Sequence, residues 1–148
     1  MVVKIVVEMI SGCNLRWRYS EISDTFIAEQ MNSIFLRNHG FRGIYGWVEG
    51  YGQPLKPHND VLLITDKTLQ LGNIVNGKII GVFIRCDGDH KLVCVECDRN
   101  IEDLEELPDE EIKMLKRIYP GKYAGDAWLG REKALVVLGN HDRSVKWV

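Results

Sequence analysis

The sequence predicts an α+β fold: a small closed β-barrel with two helices, C-terminal to the strands, packed outside it. Two observations carry this prediction. The first two thirds of the chain alternate between apolar and polar residues, or are rich in β-branched and aromatic residues, and are interrupted by glycines, which is typical of short strands. After Asp98 the pattern changes, and two segments show the apolar spacing of amphipathic helices.

The main predicted strands lie in the first two thirds of the chain. They are placed at 4–10, 15–20, 24–31, 60–65, 71–86 and 90–97. The segment 33–60 carries glycines and prolines among aromatic residues. We expect it to be irregular, with short strands at 33–36 and 44–48. Long irregular segments in compact domains are often functional.

Two helices are predicted after the strands. The stretch LPDEEIKMLKRIY (107–119) begins with a proline and acidic residues and carries its apolar residues on one face. The stretch DAWLGREKALVVLGN (126–140) is predicted as the second helix. Its expected N-cap is Asp126, and its expected end is Gly139 or Asn140.

Length and composition predict one cytoplasmic domain, residues 1–148. The chain has ordinary domain size, with 45% hydrophobic and 27% charged residues. No apolar run approaches the roughly 18 residues of a membrane span, and the N-terminus reads as a strand rather than a secretory leader. The net charge of −2 argues against general nucleic-acid binding. The four cysteines suit a reducing compartment. We disfavour zinc, because the two cysteines of CVEC would face opposite sides of a strand.

Acidic residues collect at predicted strand ends and in glycine-rich loops, and basic and hydroxyl-bearing residues occur in similar places. Mg²⁺ prefers carboxylate oxygens, and bound Mg²⁺ can polarise a phosphoryl oxygen and activate a water. Cationic and phenolic donors would hold the phosphate oxygens. The alternative is that these acids are solvated loop residues. The residues concerned are the acids Glu8, Glu49, Asp60, Asp87 and Asp89 and the donors Arg16, Tyr45, Lys91 and Tyr119.

The stretch DVLLIT…LQLGNIVNGKIIGVFIRCDGDHKLVCVE, within residues 60–96, resembles the soluble inorganic pyrophosphatases, whose fold is an OB-like barrel of five strands. The resemblance implies Mg²⁺, or alternatively Mn²⁺, as cofactor, and pyrophosphate or another small phosphorylated substrate. It also implies a homo-oligomer. It places Lys91 on a phosphate-binding position. The implied metal ligands are Asp60, Asp87 and Asp89, with Glu8 on an acidic active-site position.

Other segments resemble the family in the same order along the chain. IVVEMISGCNLRWRY is similar to its first strand pair, which places Arg16 on a phosphate-binding position. FRGIYGWV places Tyr45 in the cavity, and ELPDEEIKMLKRIY ends at a phosphate-contacting tyrosine, here Tyr119. The family's lysine after that tyrosine is Pro120 in this sequence, and Lys122 is the nearest substitute.

The family's aspartate signature, Asp-x-Asp-Pro-x-Asp-Val, is incomplete here. The chain reads LKPHNDV, so Leu55 and Pro57 replace the first two aspartates and Asp60 remains. The resemblance therefore implies fewer metal ligands and the loss of a residue that helps deprotonate the attacking water. Asp60 and Glu49 are the candidate catalytic residues, and His58 is a further candidate base.

Two charged positions also depart from the family pattern. AEQM stands where the family has its central phosphate-binding arginine, which leaves Arg37 or Arg42 as candidates. The acid that follows the basic–aromatic pair in the family is Arg18 in this chain.

Three hypotheses about function follow. The first is an Mg²⁺-dependent, pyrophosphatase-like protein that binds a phosphoanhydride and hydrolyses it weakly or in an altered way. The second is a catalytically degenerate relative that acts as a binding or scaffold protein. The third is a single-stranded nucleic-acid module. Its stacking surface would consist of Trp17, Tyr19, Tyr45, Trp47 and Tyr51.

Overall fold

The computed structural model describes residues 1–50 and 59–146, with side chains described as far as residue 139. In chain order the strands are β1 Val2–Ile10, β2 Leu15–Ser20, β3 Thr25–Gln30, β4 Gly43–Val48, β5 Asp60–Ile64, β6 Ile74–Ile84, β7 Lys91–Val95 and β8 Ala127–Gly130. The helices are α1 Phe35–Asn38, a 3₁₀ helix Leu104–Glu106, α2 Asp109–Ile118 and α3 Arg131–Lys146. No helix among the described residues is both long enough and apolar enough to cross a bilayer.

Five strands form a closed barrel in the order β1-β4-β5-β7-β6, because β6 also pairs with β1. The pairing of β5 with β7 is parallel, and the other pairings in the barrel are antiparallel. Strand β8 extends the sheet beyond β6, while β2 and β3 form a separate hairpin. The predicted α+β fold with a closed five-stranded barrel is confirmed.

The barrel interior is filled by apolar side chains from all five strands. Alternate residues of β5 illustrate the pattern, since Val61 and Leu63 belong to this inner cluster. Leu62 and Ile64 belong to a second cluster on the outer face. Both sides of the strand are therefore buried, which explains its continuous apolar run. Ala134 and Leu138 of α3 join the inner cluster.

Helix α2 covers the outer face of the barrel. Its buried side chains Met114, Leu115 and Ile118 pack in the same cluster as Leu62 of β5 and Val93 of β7. The predicted start of this helix is confirmed, since Pro108 immediately precedes it and acidic residues occupy its first turn. This packing brings Tyr119, the residue after α2, to the edge of the sheet where β5 and β7 begin.

The prediction of a strand at 33–36 was wrong. Phe35–Asn38 forms one turn of helix, which ends before Gly40 at a φ of 67°. The side chain of Leu36 is buried in the outer cluster. Packing of this one apolar side chain against the barrel outweighs the strand propensity of the aromatic and β-branched residues around it.

The predicted start of the second C-terminal helix was also wrong. Ala127–Gly130 is strand β8, and the helix begins at Arg131 and continues to Lys146, beyond the expected end at Gly139 or Asn140. Asp126 does not cap a helix. Its carboxylate accepts hydrogen bonds from the backbone N–H groups of Cys86 (2.9 Å) and Tyr123 (3.3 Å), which ties the approach to β8 to the end of β6.

Candidate active site

The parallel pairing of β5 and β7 places the first residues of both strands side by side at one edge of the barrel. Asp60 and Lys91 are direct register partners there. Parallel strands start at the same edge, so residues 31 positions apart in sequence meet. The same alternation that buries Leu62 and Val93 on the outer face directs Asp60 and Lys91 to that face.

Lys91 is the centre of the site. It is buried, with 3% of its surface exposed. Its ammonium nitrogen lies 2.8 Å from the Tyr45 hydroxyl, 2.8 Å from Asp60 Oδ2 and 3.0 Å from Asp89 Oδ2. Burial lowers the pKa of Lys91, but Asp60, Tyr119 and Asp89 together raise it by more, so the pKa is raised overall. The lysine is therefore a fixed cation.

Glu8 lies in β1, two residues before the strand ends, and is buried where the charges of Asp60 and Lys91 act on it. Its Oε2 atom accepts a 2.5 Å hydrogen bond from Arg16 Nε on the neighbouring hairpin. Burial, together with the negative charge of Asp60, raises the pKa of Glu8 to about 7, against the opposing effects of Arg16 and Lys91. Glu8 therefore changes protonation state near neutral pH.

The turn between β6 and β7 carries the remaining predicted metal ligands. Gly88 adopts a φ of 84°, a left-handed conformation that reverses the chain. Asp87 accepts a 3.0 Å hydrogen bond from the Asp89 backbone N–H. Burial raises the pKa of the Asp89 carboxyl, but Lys91, Arg85 and a hydrogen bond with Asp60 together lower it by more, so the pKa is lowered overall. Asp89 is thereby kept ionised beside the lysine.

Two tyrosine hydroxyls face the same charged groups. The pKa of Tyr45 is raised by burial and by Asp60. Burial also raises the pKa of Tyr119, against the opposing charges of Lys91 and Arg85. The Tyr119 ring stacks on Phe83 at 5.2 Å. Both phenols remain protonated near neutral pH and are available as hydrogen-bond donors.

Comparison with known proteins identifies the family. No protein-family model matches the chain. The sequence is 32% identical to the inorganic pyrophosphatase of Sulfolobus acidocaldarius over 143 residues, which cover 82% of this chain and 78% of that protein. The chain belongs to the inorganic pyrophosphatase family. The fold agrees with this assignment, as two solved pyrophosphatase structures illustrate.

The inorganic pyrophosphatase of Thermus thermophilus matches with a TM-score of 0.74 at 17% identity, over 98% of this chain and 91% of that one. The inorganic pyrophosphatase of Neisseria gonorrhoeae matches with a TM-score of 0.71 at 24% identity, over 98% and 91% of the two chains. At these identities the two structures support the shared fold alone.

The site of this pyrophosphatase family member contains most of the residues predicted from sequence. The structure brings together Glu8, Arg16, Tyr45, Asp60, Asp87, Asp89, Lys91 and Tyr119. Glu49 is exposed one residue beyond β4, and among the described residues its side chain makes no hydrogen bond or ion pair. Lys122 is also exposed. Leu55, Pro57 and His58 lie outside the described residues.

Arg42, one of the two candidate phosphate-binding arginines, lies apart from the other predicted site residues. Its guanidinium lies 2.8 Å from the buried carboxylate of Glu111 and 2.9 Å from Asp66, so it is held beyond the far end of β5 from Asp60. Glu111 also pairs with Arg99 at 2.8 Å. This cluster ties α2 to the barrel. Arg37 is exposed on α1.

Arg85 is a site residue that the sequence analysis missed. Its guanidinium lies 3.2 Å from Asp87 Oδ2 and 3.5 Å from Asp89 Oδ2, and 5.9 Å from the centre of the Tyr119 ring. The signal was its position two residues before Asp87, directly after β6. An arginine that directly precedes a turn with two aspartates is close enough to pair with both of them.

The donor chemistry of the site fits Mg²⁺, because the acids present only carboxylate oxygens. The arrangement is ion-paired, with Lys91 between Asp60 and Asp89 and Arg85 on both aspartates of the turn. Within residues 1–50 and 59–139, no three His, Cys, Asp or Glu side chains are grouped to hold a metal ion. The Oδ2 atoms of Asp60, Asp87 and Asp89 are therefore shared with cationic side chains in this structure.

The nucleic-acid hypothesis finds no support in this arrangement. Phe26 stacks between Trp17, at 6.2 Å, and Trp47, at 5.8 Å. Tyr45 is buried and hydrogen-bonded to Lys91. These rings pack against one another and against the hairpin, and Tyr51 lies outside the described residues.

Proposed function

We propose that this protein binds pyrophosphate together with Mg²⁺ and hydrolyses it, more slowly than a family member with the full aspartate signature. The observation that carries the proposal is the buried Lys91 ammonium, held by Tyr45, Asp60 and Asp89 at one edge of the barrel. A buried, charged lysine beside two carboxylates and a tyrosine hydroxyl is suited to a highly anionic ligand that brings its own cations.

The residues have separate roles in this proposal. Lys91 and Arg16 neutralise phosphate oxygens, while the protonated hydroxyls of Tyr45 and Tyr119 donate hydrogen bonds to them. Lys122, the sequence's substitute for the family's lysine, is exposed and would contact the phosphate from the solvent side. The residues that would hold Mg²⁺, or Mn²⁺ in its place, are Asp60, Asp87, Asp89 and Glu8. Bound metal supplies charge neutralisation of the phosphoryl oxygens and a more acidic water.

Water activation is the weak step. With leucine and proline at the first two signature positions, Asp60 is the remaining signature acid and accepts the proton of the attacking water, with Glu49 as the alternative. Positioning and electrostatic stabilisation do not depend on that proton transfer, so substrate binding persists where hydrolysis is slow. We further propose that the protein is cytoplasmic, as its composition and cysteines predict, and homo-oligomeric, as the sequence resemblance implies.

Phosphate release from pyrophosphate with Mg²⁺, measured with malachite green, tests the function. The wild type is expected to release phosphate only with the metal, and the double variant Asp87→Asn/Asp89→Asn is expected to lose about 100-fold in rate. A matched control is Asp98→Asn/Asp109→Asn, which removes the same charge beyond the far end of β7 and in the first turn of α2.

Equal rates for the wild type and the Asp87→Asn/Asp89→Asn variant would exclude hydrolysis at this site. Calorimetry with pyrophosphate then separates the two family-based hypotheses. Mg²⁺-dependent binding without turnover would support the binding or scaffold protein, whereas neither binding nor turnover would contradict the proposal as a whole.

A further inference from the structure

Arg85 is a site cation that the proposed function does not use. It follows the last residue of β6 and its side chain is one-third exposed. Two carboxylates pair with it, Asp87 at 3.2 Å and Asp89 at 3.5 Å. Its backbone N–H donates to His90 Nδ1 at 3.0 Å, and its carbonyl oxygen accepts from the Gly88 N–H at 3.0 Å. The backbone of the turn therefore fixes the base of the side chain.

The guanidinium also has a fixed direction. Its central carbon lies 5.9 Å from the centre of the Tyr119 ring, and that ring is itself held by stacking on Phe83. The N–H groups of a guanidinium lie in the plane of the guanidinium itself. Contact of its face with an aromatic ring leaves these N–H groups able to form paired hydrogen bonds with an oxyanion.

Arg85 and Lys91 face the same space. Both cations contact one atom, Asp89 Oδ2, at 3.5 Å from Arg85 Nη1 and 3.0 Å from Lys91 Nζ. The Tyr119 hydroxyl is influenced by both charges. An anion that reaches the Lys91 ammonium beside Tyr119 is therefore also within the reach of the Arg85 guanidinium.

Three other arginines near the barrel pair with carboxylates outside the β6–β7 turn. Arg42 is held by Glu111 and Asp66 away from the site. Arg16 uses its Nε on the buried carboxylate of Glu8, and Arg18 pairs with Glu29 on the hairpin. Among the described residues, Arg85 is the arginine positioned over the two aspartates of the β6–β7 turn.

We propose that Arg85 is a substrate-binding residue that exchanges its aspartate partners for a phosphate group of the bound diphosphate. The inference rests on the proposed function and adds a residue to it. The exchange has a second consequence. When the guanidinium moves to the phosphate, Asp87 and Asp89 lose a competing cation, so anion binding makes their oxygens available to a metal ion.

Removal of Arg85 is therefore expected to weaken binding of the diphosphate without weakening binding of the metal ion. Arg85→Met is expected to weaken binding of methylenediphosphonate, a non-hydrolysable diphosphate, about 10- to 100-fold in metal-free calorimetry, which corresponds to the loss of hydrogen bonds to a charged group. The same variant is expected to bind Mn²⁺ as tightly as the wild type or more tightly, measured by electron paramagnetic resonance without the diphosphonate. Loss of folding would lower both affinities.

Two further variants complete the experiment. Arg85→Lys keeps the charge without the fork and is expected to recover only part of the diphosphonate affinity. Arg131→Met is the matched control, since Arg131 is also partly exposed and also pairs with a carboxylate at 3.5 Å, that of Glu102. It is expected to bind both ligands as the wild type does.

Wild-type diphosphonate affinity in Arg85→Met would overturn the inference while leaving the proposed function standing. A parallel loss of Mn²⁺ and diphosphonate affinity would also overturn it, because a purely structural role predicts that result. If the wild type itself binds no diphosphonate and hydrolyses no pyrophosphate, the proposed function fails and the inference fails with it.

Discussion

Glu8 is the acid whose environment in the site differs most from water. It is 3% exposed, and its pKa is raised from the ordinary 4.5 to about 7, chiefly by burial and then by the charge of Asp60. Arg16 pairs with it at 2.5 Å but does not compensate the cost of burying the charge, because about half of the arginine side chain remains in water. The folded protein thus holds a carboxyl group that resists ionisation.

The sign of the pH dependence follows from this shift. The contribution of Glu8 to stability is fully present below pH 4.5, where the carboxyl is neutral in both the folded and the unfolded protein. This contribution is lost as the pH rises to about 7. Glu8→Gln is therefore expected to gain stability relative to the wild type across that range, by on the order of 3 kcal/mol at pH 8. Urea unfolding at a series of pH values measures the difference.

Glu29→Gln is the control for the Glu8 experiment. Glu29 also pairs with an arginine, Arg18, at 3.2 Å, but both side chains are about half exposed. Its replacement is expected to change stability little and without a pH trend. A Glu8→Gln difference that stays constant between pH 4.5 and 8 would contradict the raised pKa.

At the scale of the element, the barrel depends on close approach of β1 and β4. Gly46 pairs with Val7 of β1 on one side and Val61 of β5 on the other. A β-carbon at Gly46 would lie 2.1 Å from the Val6 carbonyl oxygen and 2.9 Å from the side chain of Ile5. A backbone carbonyl in a strand cannot move aside as the end of a flexible side chain can. Only glycine therefore fits at this position without a clash.

Gly46→Ala is expected to destabilise the protein by more than about 3 kcal/mol, because the β1–β4 ladder must separate to admit the methyl group. Circular dichroism during urea unfolding gives the measurement. Gly12→Ala is the control, since nothing lies within 4 Å of a β-carbon at Gly12 in the turn after β1. Equal unfolding midpoints for the two variants would show that β1 and β4 are not held this closely.

At the scale of the whole molecule, closure of the barrel by β1 and β6 isolates its interior. Cys94 of β7 lies in the inner cluster with no exposed surface, and burial raises the pKa of its thiol. Cys86 and Cys97 are exposed, and Cys13 is half-buried. All four thiols are free. The four cysteines therefore report separately on the surface and on the barrel interior.

Cys94 is expected to react with Ellman's reagent only when the barrel opens. In a variant with Cys13, Cys86 and Cys97 replaced by serine, the rate is expected to rise with urea in parallel with unfolding. The wild type is expected to show fast labelling of the two exposed thiols under native conditions. Fast labelling of Cys94 without denaturant would contradict a closed, packed interior.

Local patterns in the sequence determined a large part of this fold. The periodicity and proline start of α2, the limits of β2 and the buried run of β5 were all predicted, because each depends on neighbouring residues. The grouping of Asp60, Asp87, Asp89 and Lys91 followed from the family resemblance of one continuous stretch. The closed α+β barrel followed from the order of these elements.

Tertiary pairing decided what neighbouring residues could not. Ala127–Gly130 is a strand because β6 offers an edge and Trp128 packs on Phe83 at 4.7 Å, although its local sequence favours helix. Arg42 is a candidate phosphate-binding arginine by sequence, but in the structure its guanidinium donates to Glu111, 69 residues away. Arg85 entered the site because the turn folds it over Tyr119. In each case the contacting residue is distant in sequence, so the contact stabilises the structure only once the barrel has closed.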